Sequence, residues 1–118
     1  MTVEQWLKDT SKEITIMRDK SGRFIIKRKN LICNDGLSLS VQASEFHYCA
    51  PKKITDTYDC VEVYAHGEEV KELNYLGYHM VDTCYRYVYV SDLEKVVTAH
   101  GGIKDDGNWK TRPRENCR

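Results

Sequence analysis

The chain has 118 residues, which suits a single domain with a core large enough to fold without disulfides or a metal. Its 18 lysines and arginines balance 18 aspartates and glutamates, which excludes a generic nucleic-acid binder and an acidic mimic of nucleic acid. The sequence lacks an apolar run of about 18 residues and a signal peptide, so we expect a cytoplasmic protein with no membrane partner.

The first thirty residues predict a short helix followed by a β-hairpin. Thr2 and Gln5 have the spacing of a capping box at the start of the helix. Residues 13–19 and 23–29 are strand-like and flank the turn residues 20–22. The second strand carries four cations, which predict a charged sheet edge or, alternatively, a contact with phosphate: Arg23, Lys27, Arg28 and Lys29.

A second hairpin is predicted around Asn34-Asp35-Gly36, whose residue types suit a tight turn. Its second strand alternates, with Leu37, Leu39 and Val41 on the predicted core side. The opposite face carries Ser38, Ser40 and Gln42. We expect that face to be solvated, with a polar binding surface as the alternative.

Residues 43–65 join an aromatic segment to a strand over residues 58–65, and His47 and Tyr48 of the aromatic segment are candidate partner-binding residues. Val61 and Val63 mark the core side of that strand. In a strand, His47 and Cys49 would share a face, but two ligands are too few for a structural zinc site, so we predict no metal and no cofactor. The spacing of the five cysteines fits no disulfide framework and predicts reduced thiols: Cys33, Cys49, Cys60, Cys84 and Cys117.

The last part of the domain is predicted to hold a strand and a helix. Residues 66–80 predict a short helix around Val70 and Leu73 or an irregular segment. The strand at 84–90 places three tyrosines on one predicted face, either half-buried under a helix or exposed as a stacking platform or interface hot spot: Tyr85, Tyr87 and Tyr89.

Ser91 and Glu94 predict a capping box for a helix that ends at Gly101-Gly102. We therefore predict an α+β fold: a small antiparallel sheet of about five or six strands with an N-terminal and a C-terminal helix packed on it. Residues 1–103 form one globular domain, and residues 104–118 are expected to be a mobile tail.

Catalytic motifs are missing from the sequence. It has no phosphate-binding glycine loop, no HExxH and no nucleophile elbow. We therefore predict a non-catalytic protein. A small nuclease or a Cys-His hydrolase assembled in space stays open as an alternative.

Four sequence pieces together resemble a family of small uncharacterised proteins encoded by phages and prophages of Firmicutes. They are CNDG, SVQAS, HYC and HGGI, and they lie within residues 31–103. The helix and basic hairpin of residues 1–30 and the tail after Ile103 lie outside this pattern.

The resemblance implies a phage counter-defence protein that acts in the cytoplasm of the bacterial host. One expectation is an anti-CRISPR-like inhibitor, whose partner is a bacterial immune effector such as a CRISPR nuclease with its guide RNA. The alternative is an oligomeric sponge that sequesters an immune signalling nucleotide, and a third is a phage accessory or regulatory protein. The net charge of zero hides an uneven distribution, because cations concentrate at residues 23–29 and in the arginine-rich tail. These two basic segments are further candidates for partner contact.

Overall fold

The computed structural model describes residues 1–22 and 24–104, and these confirm the predicted α+β class. The helices are α1 (Val3–Thr10), α2 (Lys71–Tyr75) and α3 (Val90–Ala99). The strands are β1 (Thr15–Arg18), β2 (Phe24–Lys27), β3 (Leu31–Ile32), β4 (Ser38–Gln42), β5 (Cys60–Tyr64), β6 (Met80–Val81) and β7 (Cys84–Tyr89). The predicted tail beyond Lys104 lies outside the described residues. No helix in the described ranges has the length and apolar character to cross a membrane.

Five strands form one antiparallel sheet in the order β3-β4-β5-β7-β6. The predicted turn joins β3 to β4, and Gly36 has a φ of 100°, which glycine adopts at little cost. The predicted first hairpin forms as a separate two-stranded sheet, β1-β2. All four residues of β1 are exposed, so this strand lies outside the core.

The core lies between one face of the five-stranded sheet and the helices. As predicted, the apolar positions of β4 and β5 are fully buried in it: Leu39, Val41, Val61 and Val63. The helices cover this layer with Val3, Trp6, Leu7, Leu73, Leu93, Val96 and Val97. Each large aliphatic side chain stabilises the fold by about 1.5–3 kcal/mol on burial, so this packing fixes which sheet face is left open.

The N-terminus of α1 is capped from two directions. Thr2 Oγ1 accepts the Gln5 N–H at 3.0 Å, as the sequence predicts. The Gln5 side chain donates to Asp9 at 2.8 Å instead of returning to the cap, so the reciprocal half of the predicted box is wrong. Glu94 of α3 completes the cap, because its Oε1 accepts the Val3 N–H at 2.7 Å.

The capping box predicted at Ser91 is wrong. Helix α3 begins directly from β7, with Tyr89 as its N-cap and no capping side chain, so Ser91 already lies inside the first turn. The predicted end is confirmed, since the Gly102 N–H donates to the Val97 carbonyl at 2.8 Å. Gly101, with a φ of 90°, would place an added Cβ 3.2 Å from the Asn34 side chain.

The segment between β5 and β7 holds a helix and a strand. The short-helix alternative is confirmed by α2, with Val70 and Leu73 buried against α3. Strand β6 was not predicted, because two residues are too short to show an alternating pattern.

Candidate functional site

The basic strand does not form the charged edge predicted for all of its cations. Arg23 lies outside the described residues. Lys27 is exposed, and Lys29 is half-buried. Arg28 is only 1% exposed, so its assignment to a charged edge or a phosphate contact is wrong.

Arg28 fastens the hairpin to the end of α1. Its guanidinium donates to the Leu7 carbonyl at 3.2 Å, to Thr10 Oγ1 at 3.0 Å and to the Tyr58 hydroxyl at 3.4 Å. The first two groups belong to the C-terminal turn of α1, where the helix dipole favours a cation. Burial lowers the pKa of Arg28, and the hydrogen bond and charge of Tyr58 oppose that shift.

The predicted polar face of β4 is covered by the chain itself. Ser40 and Gln42 are buried, and Ser38 is half-buried. The Asn30 side chain donates to Ser38 at 3.2 Å, and Gln42 hydrogen-bonds both backbone groups of Arg28. For Ser40 and Gln42, the prediction of a solvated face and the alternative of a binding surface are both wrong, because residues 28–30 occupy that side of the strand.

The three tyrosines of β7 do not share one face. Tyr85 is paired with Val63, and both side chains are fully buried in the core. The register then shifts across Glu62, which is the signature of a β-bulge. Tyr87 sits in the bulge with a φ of 54°, and it is 46% exposed. The predicted stripe is therefore wrong, and Tyr87 and Tyr89, the latter 58% exposed, are left at the surface.

The bulge brings predicted and unpredicted residues together on the open face of the sheet. We call Tyr48, Glu62, Arg86 and Tyr87 the outer-face cluster. The Arg86 guanidinium lies 4.0 Å from the centre of the Tyr48 ring, and the Tyr48 and Tyr87 rings meet edge to face at 5.9 Å. The backbone is tied as well, since Tyr48 N–H donates to Glu62 at 3.1 Å and Tyr87 N–H donates to the Tyr48 carbonyl at 3.2 Å.

Sequence reasoning missed Arg86 and Glu62 as members of this cluster. A signal for both exists in the sequence, because each is the one charged residue in a strand that otherwise consists of cysteine, valine and tyrosine. The charges alone do not identify the cluster, since Tyr48 reaches it from a loop between β4 and β5.

His47 lies beside the cluster and is held in a turn. Its Nδ1 is 2.7 Å from Ser44 Oγ, which also accepts the Phe46 N–H at 3.0 Å. Burial lowers the pKa of His47, against the attraction of Glu62. Ser44 is completely buried, so this serine and histidine shape the loop that presents Tyr48.

The CNDG and HGGI pieces of the family-like pattern are in direct contact. Asn34 N–H donates to the Gly102 carbonyl at 2.9 Å, and Cys33 pairs with Ile103 in a β-bridge. His100 extends this junction to α2, with Nδ1 2.6 Å from Asp35 and Nε2 3.0 Å from Glu72.

Both ring nitrogens of His100 can donate only when the imidazole is protonated. Burial lowers the pKa of His100, but the hydrogen bonds and charges of Asp35 and Glu72 outweigh burial and raise it overall. The two carboxylates therefore favour a charged ring. Sequence reasoning missed this cluster because its members lie far apart in the chain.

The described cysteines form no disulfide and are mostly buried. Cys33, Cys49 and Cys60 are buried and Cys84 is half-buried, while Cys117 lies outside the described residues. Burial raises the pKa of each described thiol, to about 11 for Cys33. The described residues contain no group of three or more side chains arranged to hold a metal ion. Cys49 and His47 lie in a loop, so the strand geometry considered for a shared metal face is wrong.

Comparisons with protein-family models, curated proteins and solved structures found no match for the chain.

Proposed function

We propose that the protein is a non-catalytic inhibitor that docks on a bacterial immune effector through its outer-face cluster. The effector that the sequence resemblance favours is a CRISPR nuclease with its guide RNA, in the manner of an anti-CRISPR protein. The observation that carries the docking function is the arrangement of Tyr48, Arg86 and Tyr87. The Tyr48 ring contacts both Arg86 and Tyr87, on a sheet face that no helix within residues 1–22 and 24–104 covers.

The composition of this surface is that of an interface hot spot. Tyrosine and arginine dominate hot spots because they offer a large contact area, and tyrosine gains it at a small cost in side-chain entropy. Tyr87 and Tyr89 expose about half of their surface. Because Tyr48 and Arg86 already hold each other in place, little order has to be created on binding.

The backbone of Tyr87 supports a functional role for its side chain. A non-glycine residue at a φ of 54° is strained, and strained residues concentrate at binding and catalytic sites. In a regular strand, the Tyr87 side chain would point to the same face as Tyr85 and would compete with it for space in the core. The strained backbone instead directs Tyr87 to the surface.

The β1-β2 hairpin offers a second contact. Ile16 and Met17 are adjacent in β1, so they point to opposite faces of the hairpin. They are 59% and 50% exposed. A hairpin with apolar side chains on both faces suits insertion between two surfaces of a large partner, and the exposed Lys27 suits a partner that contains RNA.

The test is inhibition of DNA cleavage by a panel of guide-loaded CRISPR nucleases from Firmicutes. For the nuclease that the wild type inhibits, we expect Tyr87→Ala to weaken binding at least about thirtyfold, as hot-spot truncations do. The matched control is Tyr75→Ala, because Tyr75 is 92% exposed but lies on α2, on the helical side of the sheet. We expect this control to bind and inhibit like the wild type.

Two outcomes contradict the proposal. Inhibition that survives Tyr87→Ala and is lost with Tyr75→Ala would move the docking surface to the helical side. If the wild-type protein neither binds nor inhibits any nuclease in the panel, the proposal that its partner is a CRISPR nuclease is wrong.

A further inference from the structure

A groove lies between α2 and α3, on the side of the domain opposite the outer-face cluster. Its volume is about 430 Å³, within the range of small-molecule sites. Its lining residues come from both helices and the end of α2: Lys71, Glu72, Tyr75, Leu76, Lys95 and Val96. The Tyr75 ring is 92% exposed and Leu76 is 36% exposed, so a ligand would cover apolar surface that the domain itself leaves open.

The charges of the groove favour an anion. Lys71 and Lys95 contribute one cation from each helix, and Glu72 is the single acid among the described lining residues. Glu72 is engaged by His100 at 3.0 Å, so its negative charge is shared with a ring that the geometry favours in the protonated form. Lys95 pairs with Asp92 at 3.5 Å but is 67% exposed, and such a surface pair is readily exchanged for a ligand.

Helix α2, which forms one wall of the groove, is held in place by three contacts. The hydroxyl of Tyr85 accepts the Val70 N–H at 2.9 Å and donates to Asn74 at 2.8 Å, which holds both ends of α2. The ion pair between His100 and Glu72 ties α2 to the end of α3. The backbone of α2 is therefore already ordered, so binding a ligand costs no further entropy for placing this helix.

We infer that this groove binds a small aromatic anion of the size of a nucleoside monophosphate. The base or another flat ring would stack on Tyr75 over Leu76 and Val96, and the phosphate would lie between Lys71 and Lys95. This inference goes beyond the docking function and does not depend on it. It also gives the nucleotide-binding alternative a location in the fold.

The experiment is a titration of the full-length protein, followed by ¹H–¹⁵N correlation spectra. The probes are AMP and GMP, with adenosine as the uncharged aromatic, inorganic phosphate as the isolated head group and octanoate as an aliphatic anion. We expect AMP or GMP to shift the amide resonances of α2 and α3. Adenosine, phosphate and octanoate are each expected to bind at least about tenfold more weakly than the nucleotides.

Two variants test the assigned contacts. Lys95→Gln is expected to weaken the nucleotide about tenfold by removing one charge-assisted contact, and Tyr75→Ala is expected to weaken it similarly through lost stacking. The matched control is Lys52→Gln, which removes a lysine near the Tyr48 ring on the other side of the domain. We expect it to bind the nucleotide unchanged.

The inference is overturned if neither nucleotide shifts the groove amides at millimolar concentration. Adenosine binding as tightly as AMP would remove the role of the lysines, and octanoate binding as tightly as AMP would remove the role of the ring. Inhibition that survives Tyr87→Ala, or a wild type that inhibits no nuclease, would overturn the docking proposal without affecting these titrations, so the two proposals fail separately.

Discussion

The side chain of Gln42 serves as the hydrogen-bonding partner of the Arg28 backbone. Its Oε1 accepts the Arg28 N–H at 2.8 Å, and its Nε2 donates to the Arg28 carbonyl at 3.3 Å. A neighbouring strand would satisfy the same two groups, so this amide replaces a strand where the hairpin meets the sheet. The buried guanidinium then reaches α1, and one residue joins three parts of the fold.

We expect Arg28→Met to lower the free energy of unfolding by about 1.5–3 kcal/mol. Methionine keeps an apolar stem of similar length, but it leaves the Leu7 carbonyl and Thr10 hydroxyl without the charged donor. Urea denaturation monitored by tryptophan fluorescence measures the change, since Trp6 is buried in α1. The matched control is Lys27→Met, one residue earlier and exposed, which is expected to stay within about 0.5 kcal/mol of the wild type. Equal losses in the two variants would contradict the structural role of Arg28.

Substitutions at Glu94 and Ser91 distinguish the helix capping seen in the structure from the capping predicted from the sequence. We expect Glu94→Ala to destabilise the protein by about 1 kcal/mol, because it removes the acceptor of the Val3 N–H. Ser91→Ala is expected to be nearly neutral, since Ser91 is exposed and does not cap α3. Thermal unfolding of both variants measures the difference. A larger loss at Ser91 than at Glu94 would support the predicted box instead.

Local sequence patterns were sufficient to predict those features that depend only on residues close in sequence. The alternation of β4 and β5 identified the core face, and Gly101-Gly102 identified the end of α3, because both signals depend on residues close in sequence. The alternation of β7 failed at Tyr87, since one extra residue in a bulge reverses every later side chain and has no local signature.

The residues that sequence reasoning misplaced or missed depend on distant partners. Its sequence neighbours suggest that Arg28 is a surface cation, and only the fold places the Leu7 carbonyl and the Thr10 hydroxyl of α1 beside it. His100 lies 65 residues from Asp35 and 28 from Glu72, and no pattern of spacing joins them. The outer-face cluster needs Tyr48 from a loop, so the sequence could supply its candidates but not their assembly.

The charged His100 predicts a specific pH dependence of stability. The pKa of His100 is raised in the folded state, so its contribution is complete below its unfolded value of about 6.5 and is lost as the pH rises through the folded value. The pKa of Glu72 is lowered, mainly by a backbone hydrogen bond and with help from His100, so that contribution is lost as the pH falls through the folded value of Glu72. The pKa of Asp35 is lowered in the same way by the Leu37 N–H and His100.

We therefore expect His100→Gln to be most destabilising between about pH 5 and 6, and less so at pH 8.5 or below pH 3.5. The measurement is the difference in free energy of unfolding between wild type and variant across this range, which cancels groups that the substitution does not touch. A difference that grows above pH 7 would contradict the charged form of His100.

Tyr87 allows the strain at the bulge to be measured directly. At an ordinary strand position alanine is more stable than glycine by about 0.5–1 kcal/mol, but at a φ of 54° glycine avoids a steric cost of about 1–2 kcal/mol. We expect Tyr87→Gly to be more stable than Tyr87→Ala by about 1 kcal/mol. Both variants lose the side chain that meets Tyr48, so the comparison isolates the backbone. At Tyr89, whose φ is −61°, we expect the reverse order. Urea denaturation of the four variants tests both rankings, and alanine proving the more stable residue at both sites would show that Tyr87 is unstrained.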